Sequence, residues 1–487
     1  MLFNSLQFMI FFPIVTALYF LLPHKYRWGM LLGASCIFYM AFIPVYILIL
    51  LVTIVIDYFA GIWIEESSGR KKKTYLIASI ISTCLVLFVF KYFNFFNGSF
   101  AAIAGFFGLK YPIEMINVIL PIGLSFHTFQ SLSYVIEVYE GRQKAERHFG
   151  IYSLYVMFYP QLVAGPIERP QNLLHQFREE HFFEYRAATD GLKLMAWGMF
   201  KKVVIADRLS IVVNQVYGNP HDFNGLALII ATLFFAFQIY CDFSGYSDIA
   251  IGAAQVMGFK LMDNFNRPYF SKTISEFWRR WHISLSTWFR DYLSVALGGD
   301  TVVRWKLYYS LFVTFLLSGL WHGANWTFVA WGALNGFYII FSHYSRKFRR
   351  EIARKTGILM YPNIHKFYQI ATTFTLVCFG WIFFRARTIS DACYIVTHLF
   401  AGLGSIFSLK YVKETLDVFD LSKAEFIIAI LSIIFLELVH VIQRHGRIRH
   451  MLAEKPFWVR WGVYYAVCLG IIFFGVFGKN EFIYFQF

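Results

Sequence analysis

Long uninterrupted runs of apolar residues limit what this 487-residue chain can become. Each run approaches the length that a helix needs to cross a bilayer. Lipid offers the backbone no hydrogen-bonding partner, so only helices and closed barrels cross it, and barrel strands would alternate polar with apolar residues. The sequence therefore predicts an all-α, polytopic transmembrane protein with about twelve spans. The predicted spans lie near residues 7–22, 28–43, 45–63, 75–93, 115–138, 150–164, 224–240, 306–321, 324–343, 367–384, 424–441 and 457–478, with 186–206 as a weaker candidate.

Composition and charge agree with a membrane protein. The chain is 58% hydrophobic and 15% charged, which is more apolar surface than a soluble protein of this length can bury. The net charge of +15 might suggest nucleic acid, but the cations fall in short blocks between the apolar runs, as in cytoplasmic loops. We therefore expect no nucleic-acid partner and predict that both termini are extracytoplasmic. The basic blocks are "HKYR" (24–27), "GRKKK" (69–73), "GRQKAERH" (141–148), "SRKFRR" (345–350) and "QRHGRIRH" (443–450).

Two further features of the sequence bear on its class. The N-terminus lacks the basic region and small-residue cleavage site of a signal peptide, so we expect it to remain as the first span. The six cysteines are dispersed in apolar surroundings without a CxxC pair, which favours packing over a disulfide framework.

A histidine between two late spans is the first candidate for chemistry. In "LLSGLWHGANWTFVAWG" (316–332), His322 lies beside Trp321, and Asn325 follows three residues later, on the same face if the segment is helical. A neutral imidazole suits general-base work, and the neighbouring glycines allow a substrate to come close. The alternative is a buried histidine that donates to a backbone carbonyl.

The segment "EFWRRWHISLSTWFRDYL" (276–293) predicts an amphipathic helix at the membrane surface. Its tryptophans share one face, and Arg279, His282 and Ser286 lie on an adjacent one. A membrane anchor explains most of these residues. His282 is the exception, because it lies where the two faces meet.

Acidic and polar residues interrupt two other apolar segments. In "FQIYCDFSGYSDIAIG" (237–252), Asp242 and Asp248 lie at or just after the predicted end of a span, where they either orient a histidine or cap a helix. In "PIGLSFHTFQSLSYVIEVY" (121–139), His127, Gln130 and Tyr134 form one helical stripe, which is typical of hydrogen bonds between helices. The turn "VAGPIERP" (163–170) holds Glu168 and Arg169, which either pair or leave the arginine for an anion.

Several signatures of other enzymes are absent from the sequence. There is no Walker A loop, no GxGxxG after a strand and no GxSxG elbow. There is no HExxH and no Cys/His cluster with metal-ligand spacing. We therefore expect no metal and no permanently bound cofactor.

The motifs occur together in an order that resembles the membrane-bound O-acyltransferase superfamily. The residues that carry the resemblance are the "WHG" histidine, "FWRRWHISLSTWFRDYL" and "CDFSGYSDIAIG", and it extends from "PIGLSFHTFQSLSY" through "VAGPIERP" to "GWIFFRA" (380–386). The branch is similar to the bacterial one that exports acyl groups to cell-envelope polymers such as alginate, peptidoglycan and teichoic acid. The resemblance implies a ring of tilted helices with a central funnel that reaches His322, the family's invariant histidine, and His282, the second histidine of this branch.

The resemblance also assigns roles to the tail and to molecules outside the chain. It implies a transmembrane domain over 1–480 and an extracytoplasmic tail over 481–487, whose "FIYFQF" fits an F-x-Y-F-x-F motif with Tyr484 as the acyl acceptor. The implied donor is cytoplasmic acetyl-CoA or an acyl carrier. The implied partners are membrane lipid, a periplasmic SGNH-type acetyltransferase and a polysaccharide acceptor, at the bacterial inner membrane.

Three other readings of the sequence remain open. A transporter or flippase for a polysaccharide or lipid precursor would move its substrate without chemistry. An acyltransferase that acts directly on a lipid or protein would need neither tail nor partner. A structural scaffold would leave His322 and His282 without a purpose.

Overall fold

The computed structural model describes residues 1–116, 120–163, 165–299, 303–478 and 482–483. Within these residues the chain is helical and contains no β-strand, as the sequence predicts. The chain forms two compact units. Unit 1 comprises Met1–Met195 and Ile249–Met262, and unit 2 comprises Ala196–Asp248 and Asp263–Phe487.

The α-helices of the described residues are numbered in chain order. The first nine are α1 (Leu6–Leu21), α2 (His24–Met40), α3 (Ile47–Glu66), α4 (Gly69–Leu87), α5 (Phe93–Phe106), α6 (Leu124–Tyr139), α7 (Phe149–Met157), α8 (Tyr159–Leu162) and α9 (Pro170–Leu173). The next seven are α10 (Tyr185–Met199), α11 (Asp207–Gly218), α12 (Gly225–Val256), α13 (Ile274–Trp278), α14 (Ile283–Trp288), α15 (Arg304–His322) and α16 (Trp326–Tyr344). The last seven are α17 (Arg346–Lys355), α18 (Pro362–Arg385), α19 (Ile389–His398), α20 (Leu409–Asp417), α21 (Lys423–Ile442), α22 (Ile448–Ala453) and α23 (Phe457–Phe474).

Six helical segments of the described chain are long and apolar enough to cross a membrane, by length and composition. They are Pro44–Glu66, Gly69–Phe106, Gly225–Val256, Pro362–Arg385, Lys423–Ile442 and Phe457–Phe474. The expected count of about twelve spans is therefore not confirmed. One reason is that some predicted spans are interrupted: the span at 150–164 divides into α7 and α8 at Phe158, and Pro160 lies in the first turn of the new helix.

Wider π-helical turns join several of the α-helices. Residues Phe200–Ala206 continue α10 into α11, and Phe289–Ser294 extend α14. Such turns are often found at functional sites, since they change the direction of the side chains that follow. The turn Phe200–Ala206 carries Lys201 and Lys202, and both side chains are buried.

Glycines bring α15 and α16 into close contact in unit 2. A methyl group on Gly319 would lie 2.2 Å from the carbonyl oxygen of Phe328, and one on Gly332 would lie 2.5 Å from that of Phe315. These distances are too short for any side chain, so the two backbones pack directly against each other. The contact fixes the end of α15, where His322 lies.

Candidate active site

His322 is the last residue of α15 and is buried among aromatic rings. Its side chain is 4% exposed. The centroid of its ring lies 5.0 Å from that of Trp321, 5.1 Å from that of Trp331 and 5.2 Å from that of Phe384. The first ring comes from α15, the second from α16 and the third from α18, so three helices hold the imidazole in place.

Asn325 does not share a helical face with His322, because α15 ends before it. The chain leaves α15 at Gly323, which is extended, and Asn325 then caps α16. Its side-chain oxygen accepts the N–H of Thr327 at 3.0 Å, and its amide nitrogen donates to the carbonyl of Arg387 at 2.9 Å. The side-chain amide of Asn325 therefore links the start of α16 to the segment after α18.

The predicted amphipathic helix over 276–293 is broken in the middle. α13 ends at Trp278, and α14 begins at Ile283. Between them His282 adopts a left-handed backbone with φ 43° and ψ 57°, which is uncommon for a residue with a side chain. This conformation reverses the chain locally and turns the imidazole inward, where it is 1% exposed.

Asn264 holds the imidazole of His282 and fixes its tautomer. The side-chain oxygen of Asn264 accepts the backbone N–H of Ser284 at 3.3 Å, so this atom is the carbonyl oxygen of the amide. The same oxygen lies 3.1 Å from Nδ1 of His282, and an acceptor can be paired only with a donor. Nδ1 therefore carries the hydrogen, and Nε2 holds the lone pair.

Burial keeps His282 neutral. Loss of solvent lowers the pKa of its imidazole from the ordinary 6.5 to about 3. At neutral pH the ring is therefore uncharged, and its Nε2 accepts protons or hydrogen bonds.

A continuous series of rings joins the two histidines in unit 2. The ring of Trp321 lies 6.2 Å from that of His282 and 5.0 Å from that of His322. On the other side of His282, the ring of Phe243 lies 4.6 Å away in an edge-on arrangement. The residues that the sequence singled out in two separate segments thus meet around one tryptophan.

Asp242 and Asp248 lie inside a helix, which corrects the expectation that the span ends before them. α12 runs on for 32 residues to Val256, and both carboxylates bind buried lysines instead of capping a helix or orienting a histidine. Asp242 lies 2.8 Å from Nζ of Lys202, and Asp248 lies 2.7 Å from Nζ of Lys201. Lys201 also donates to the hydroxyl of Ser244 at 2.8 Å.

The tail returns to this region. Phe482 is fully buried, with its ring 4.5 Å from that of Tyr246 and 5.6 Å from that of Phe243. The backbone N–H of Ile483 donates to Asp242 at 2.9 Å. Tyr484, the predicted acyl acceptor, lies outside the described residues.

The other predicted site residues have varied surroundings. Arg279 is exposed, as expected of an arginine that faces water or phosphate. The hydroxyl of Ser286 donates to the carbonyl of Trp281 at 3.1 Å. In unit 1, the amide nitrogen of Gln130 donates to the carbonyl of Tyr155 at 2.5 Å, a contact between helices.

Residues of the turn at 163–170 also make specific contacts in unit 1. Glu168 is buried and accepts the backbone N–H of Met262 and the amide of Asn172. Burial raises the pKa of this carboxyl to about 7.

Sequence reasoning did not single out Asn264, Lys201 or Lys202. The two lysines carried a usable signal, because they lie between apolar residues in "GMFKKVVIAD", as Asp242 does in its own segment. Opposite charges in two apolar segments predict a pair. Asn264 carried no such signal, since it lies in a loop where asparagine is common.

Comparison with known proteins places this geometry in context. The model of the MBOAT, membrane-bound O-acyltransferase family, matches residues 147–381. A probable alginate O-acetylase of Pseudomonas aeruginosa is 38% identical over 395 residues, which cover 80% of this chain and 73% of that protein. A peptidoglycan O-acetyltransferase of Helicobacter pylori is 33% identical over 412 residues, covering 78% and 75%. A teichoic acid D-alanyltransferase of Bacillus subtilis is 27% identical over 293 residues, covering 56% and 70%.

Proposed function

The chain belongs to the membrane-bound O-acyltransferase family, and from that premise we propose that it transfers acetyl groups to a cell-envelope polysaccharide. It is a multi-pass membrane enzyme of the O-acyltransferase class. The proposed donor is a cytoplasmic thioester, acetyl-CoA or an acyl carrier. The proposed route passes through Tyr484 to a periplasmic SGNH-type partner, which modifies an alginate-like polymer or peptidoglycan. Acetyl is favoured over D-alanyl because the two O-acetyltransferases match more of this chain at higher identity.

The observation that carries this proposal is the position of Phe482. Its ring contacts Phe243, and Phe243 contacts His282, which reaches His322 through Trp321. The tail therefore enters the same cluster of rings as both histidines. Tyr484 follows Phe482 by two residues in the sequence, which supports its choice as the acyl acceptor in this proposal.

The proposed first step forms an aryl ester on the tail. The phenol oxygen of Tyr484 attacks the carbonyl carbon of the thioester, while His322 accepts the phenol proton. The carbon–sulfur bond breaks, and the protonated imidazole returns its proton to the leaving thiolate. A phenol needs this help because its ordinary pKa is near 10.

His282 has a different part in the proposal. Its neutral Nδ1–H tautomer leaves Nε2 to accept a hydrogen bond from the attacking hydroxyl or to receive a proton beside His322. The surrounding rings exclude water, which slows hydrolysis of the ester. In the second step a serine hydroxyl of the partner attacks the ester, and Tyr484 regains its proton.

The basic segments between the spans support the proposed orientation. The exposed helix α17 carries six cations over its ten residues: Arg346, Lys347, Arg349, Arg350, Arg354 and Lys355. Such segments remain on the cytoplasmic side. We propose the bacterial inner membrane, with both termini on the opposite side, where an extracytoplasmic partner can collect the acyl group.

The test uses the purified full-length enzyme with isotope-labelled acetyl-CoA. Mass spectrometry of the C-terminal peptide should show the label on Tyr484 in the wild type and no label in His322→Ala. Tyr484→Phe should end acetylation of the polymer, whereas Tyr465→Phe, a matched change at an exposed tyrosine of α23, should leave it intact.

Two results would overturn the proposal. Full polymer acetylation by Tyr484→Phe would favour an acyltransferase that needs no tail. Movement of a polysaccharide precursor by His322→Ala at the wild-type rate would favour a transporter.

A further inference from the structure

A buried ionic cluster connects α12 to the π-helical turn at Phe200–Ala206 in unit 2. Nζ of Lys202 lies 2.8 Å from Asp242 and 2.9 Å from Asp207. The three side chains are 1%, 3% and 4% exposed, in that order. One ammonium faces two carboxylates, so the cluster has more acceptor capacity than its lysine can satisfy.

The C-terminal segment supplies an additional donor. Oδ2 of Asp242 accepts the backbone N–H of Ile483 at 2.9 Å, while Oδ1 faces Lys202. A hydrogen bond to a charged acceptor is stronger than one between neutral groups, and burial strengthens it further. The contact uses only the main-chain N–H of the tail, so it does not depend on the side chain of Ile483.

Two earlier contacts hold the chain that leads to the tail. At the last residue of α23, the carbonyl of Phe474 accepts from Arg208 at 2.8 Å, and two residues later the N–H of Val476 donates to the carbonyl of Val203 at 2.9 Å. Both partners belong to the segment that contains Lys202 and Asp207. The same short stretch of unit 2 therefore binds the chain directly at Phe474 and Val476 and, through Asp242, at Ile483.

From these contacts we infer that the Asp242–Lys202–Asp207 cluster is a clamp that positions the C-terminal segment. Phe482 provides the apolar part of the docking, and Ile483 provides the main-chain part. An ionisable group buried within a membrane segment is costly, and docking of the tail gives Asp242 a function that offsets this cost. Asp242 and Lys202 are thus positioning residues, which act through the tail. The consequence for acetyl transfer rests on the proposed function, but the docking itself does not.

The decisive comparison is between two substitutions at one position. Ile483→Pro removes the N–H that Asp242 accepts, whereas Ile483→Ala keeps it and removes only side-chain contacts. Both are placed in the full-length enzyme together with Phe482→Cys, whose thiol reports whether the tail is docked. Labelling by a hydrophilic maleimide is measured on the C-terminal peptide by mass spectrometry, so that the native cysteines do not contribute.

We expect the thiol at position 482 to react about tenfold to a hundredfold faster with Ile483→Pro than with Ile483→Ala, the range for a lost hydrogen bond to a charged group. Asp242→Asn, which leaves the tail unchanged, should raise labelling in the same direction, because a neutral amide accepts the N–H more weakly. The Ile483 pair decides the question even if the change in α12 impairs folding, since the tail substitutions leave the helices untouched.

Equal labelling of the Ile483→Pro and Ile483→Ala proteins would overturn the clamp. The proposed function fails separately: faster labelling of the proline variant, together with full acetylation by Tyr484→Phe, would keep the clamp and remove the acyl-carrying tyrosine. Equal labelling of the two Ile483 variants, together with loss of acetylation in Tyr484→Phe, would remove the clamp and keep the acyl-carrying tyrosine.

Discussion

Buried histidines in the two units occupy different kinds of position. In unit 1, His127 lies within α6, and its Nε2 is 3.1 Å from the hydroxyl of Thr53 on α3. In unit 2, His322 ends α15, and His282 lies in the break before α14. All three are at most 4% exposed. Burial therefore does not distinguish a histidine that joins two helices from the histidines of the candidate site. Their position relative to helix ends does.

The physical reason lies in the backbone. Inside a membrane helix every peptide group is paired, so a polar side chain there bonds to the neighbouring helix. Where helices end, free peptide groups and irregular chain are tolerated only around a cavity. A histidine at such a break can meet a substrate.

The sharpest test of this comparison removes one histidine from each unit. His322→Ala should lower acetyl transfer by about 10²- to 10⁴-fold, the usual contribution of a general base. His127→Ala should stay within about tenfold of the wild type, because it removes only a contact between α3 and α6. Transfer to the polymer is measured at equal amounts of folded enzyme. A similar loss of acetyl transfer in both variants would contradict the distinction between histidines inside helices and histidines at helix ends.

Burial also makes the stability of the fold around His282 sensitive to acid. In the unfolded chain its imidazole binds a proton below about pH 6.5, while in the folded protein its pKa is about 3. The unfolded state thus binds more protons between these values, and the free energy of unfolding falls as pH falls. From pH 6.5 to 5 this amounts to about 2 kcal/mol. Denaturation of wild type and His282→Gln at both pH values should show a smaller acid effect in the variant, and equal effects would contradict the prediction.

Asn264, the hydrogen-bond partner of His282, can be replaced by a charged residue of the same size. Asn264→Asp places a carboxylate beside Nδ1, and this raises the pKa of the imidazole because a negative neighbour favours the protonated form. Measured by NMR titration, the pKa of the His282 imidazole should rise by about one unit or more. Asn172→Asp, on α9 of unit 1, is the matched control and should leave that pKa unchanged. An unchanged His282 pKa in Asn264→Asp would contradict the contact between Asn264 and Nδ1.

The smallest effect is expected in unit 1. Gln130→Ala removes a hydrogen bond to the carbonyl of Tyr155, but Gln161 also donates to that oxygen at 2.7 Å. The loss in stability should therefore be about 1 kcal/mol or less, with acetyl transfer retained. Thermal denaturation and the transfer assay measure the two quantities. A large loss of transfer at unchanged stability would instead support a role for Gln130 in binding substrate.

Much of the helical framework could be predicted from apolar runs alone. The predicted spans at 306–321 and 324–343 match α15 and α16 within two residues at each end. Both segments are mostly apolar, with Gly323 and Asn325 marking a break between them. A long apolar run bounded by such a break favours a helix.

The breaks at the site were harder to predict, because their causes are distant in the sequence. The pattern over 276–293 has a helical period throughout, and the left-handed turn at His282 depends on Asn264, which lies 18 residues earlier. The predicted end of the span near residue 240 was wrong for a related reason. Asp242 and Asp248 resemble residues outside a membrane until Lys201 and Lys202 are known to neutralise them.

The attachment of the tail to α23 has a kinetic consequence under the proposed relay. An acceptor that is part of the enzyme has an effective concentration on the order of millimolar and needs no diffusional encounter. Each chain then carries one acyl group at a time, and donor and partner react in alternation. The kinetics should be ping-pong. Double-reciprocal plots of rate against donor concentration, measured at several fixed partner concentrations, should then give parallel lines. The supply of donor and of free partner, and not the affinity of the enzyme for the polysaccharide, then limits how fast the polymer is modified.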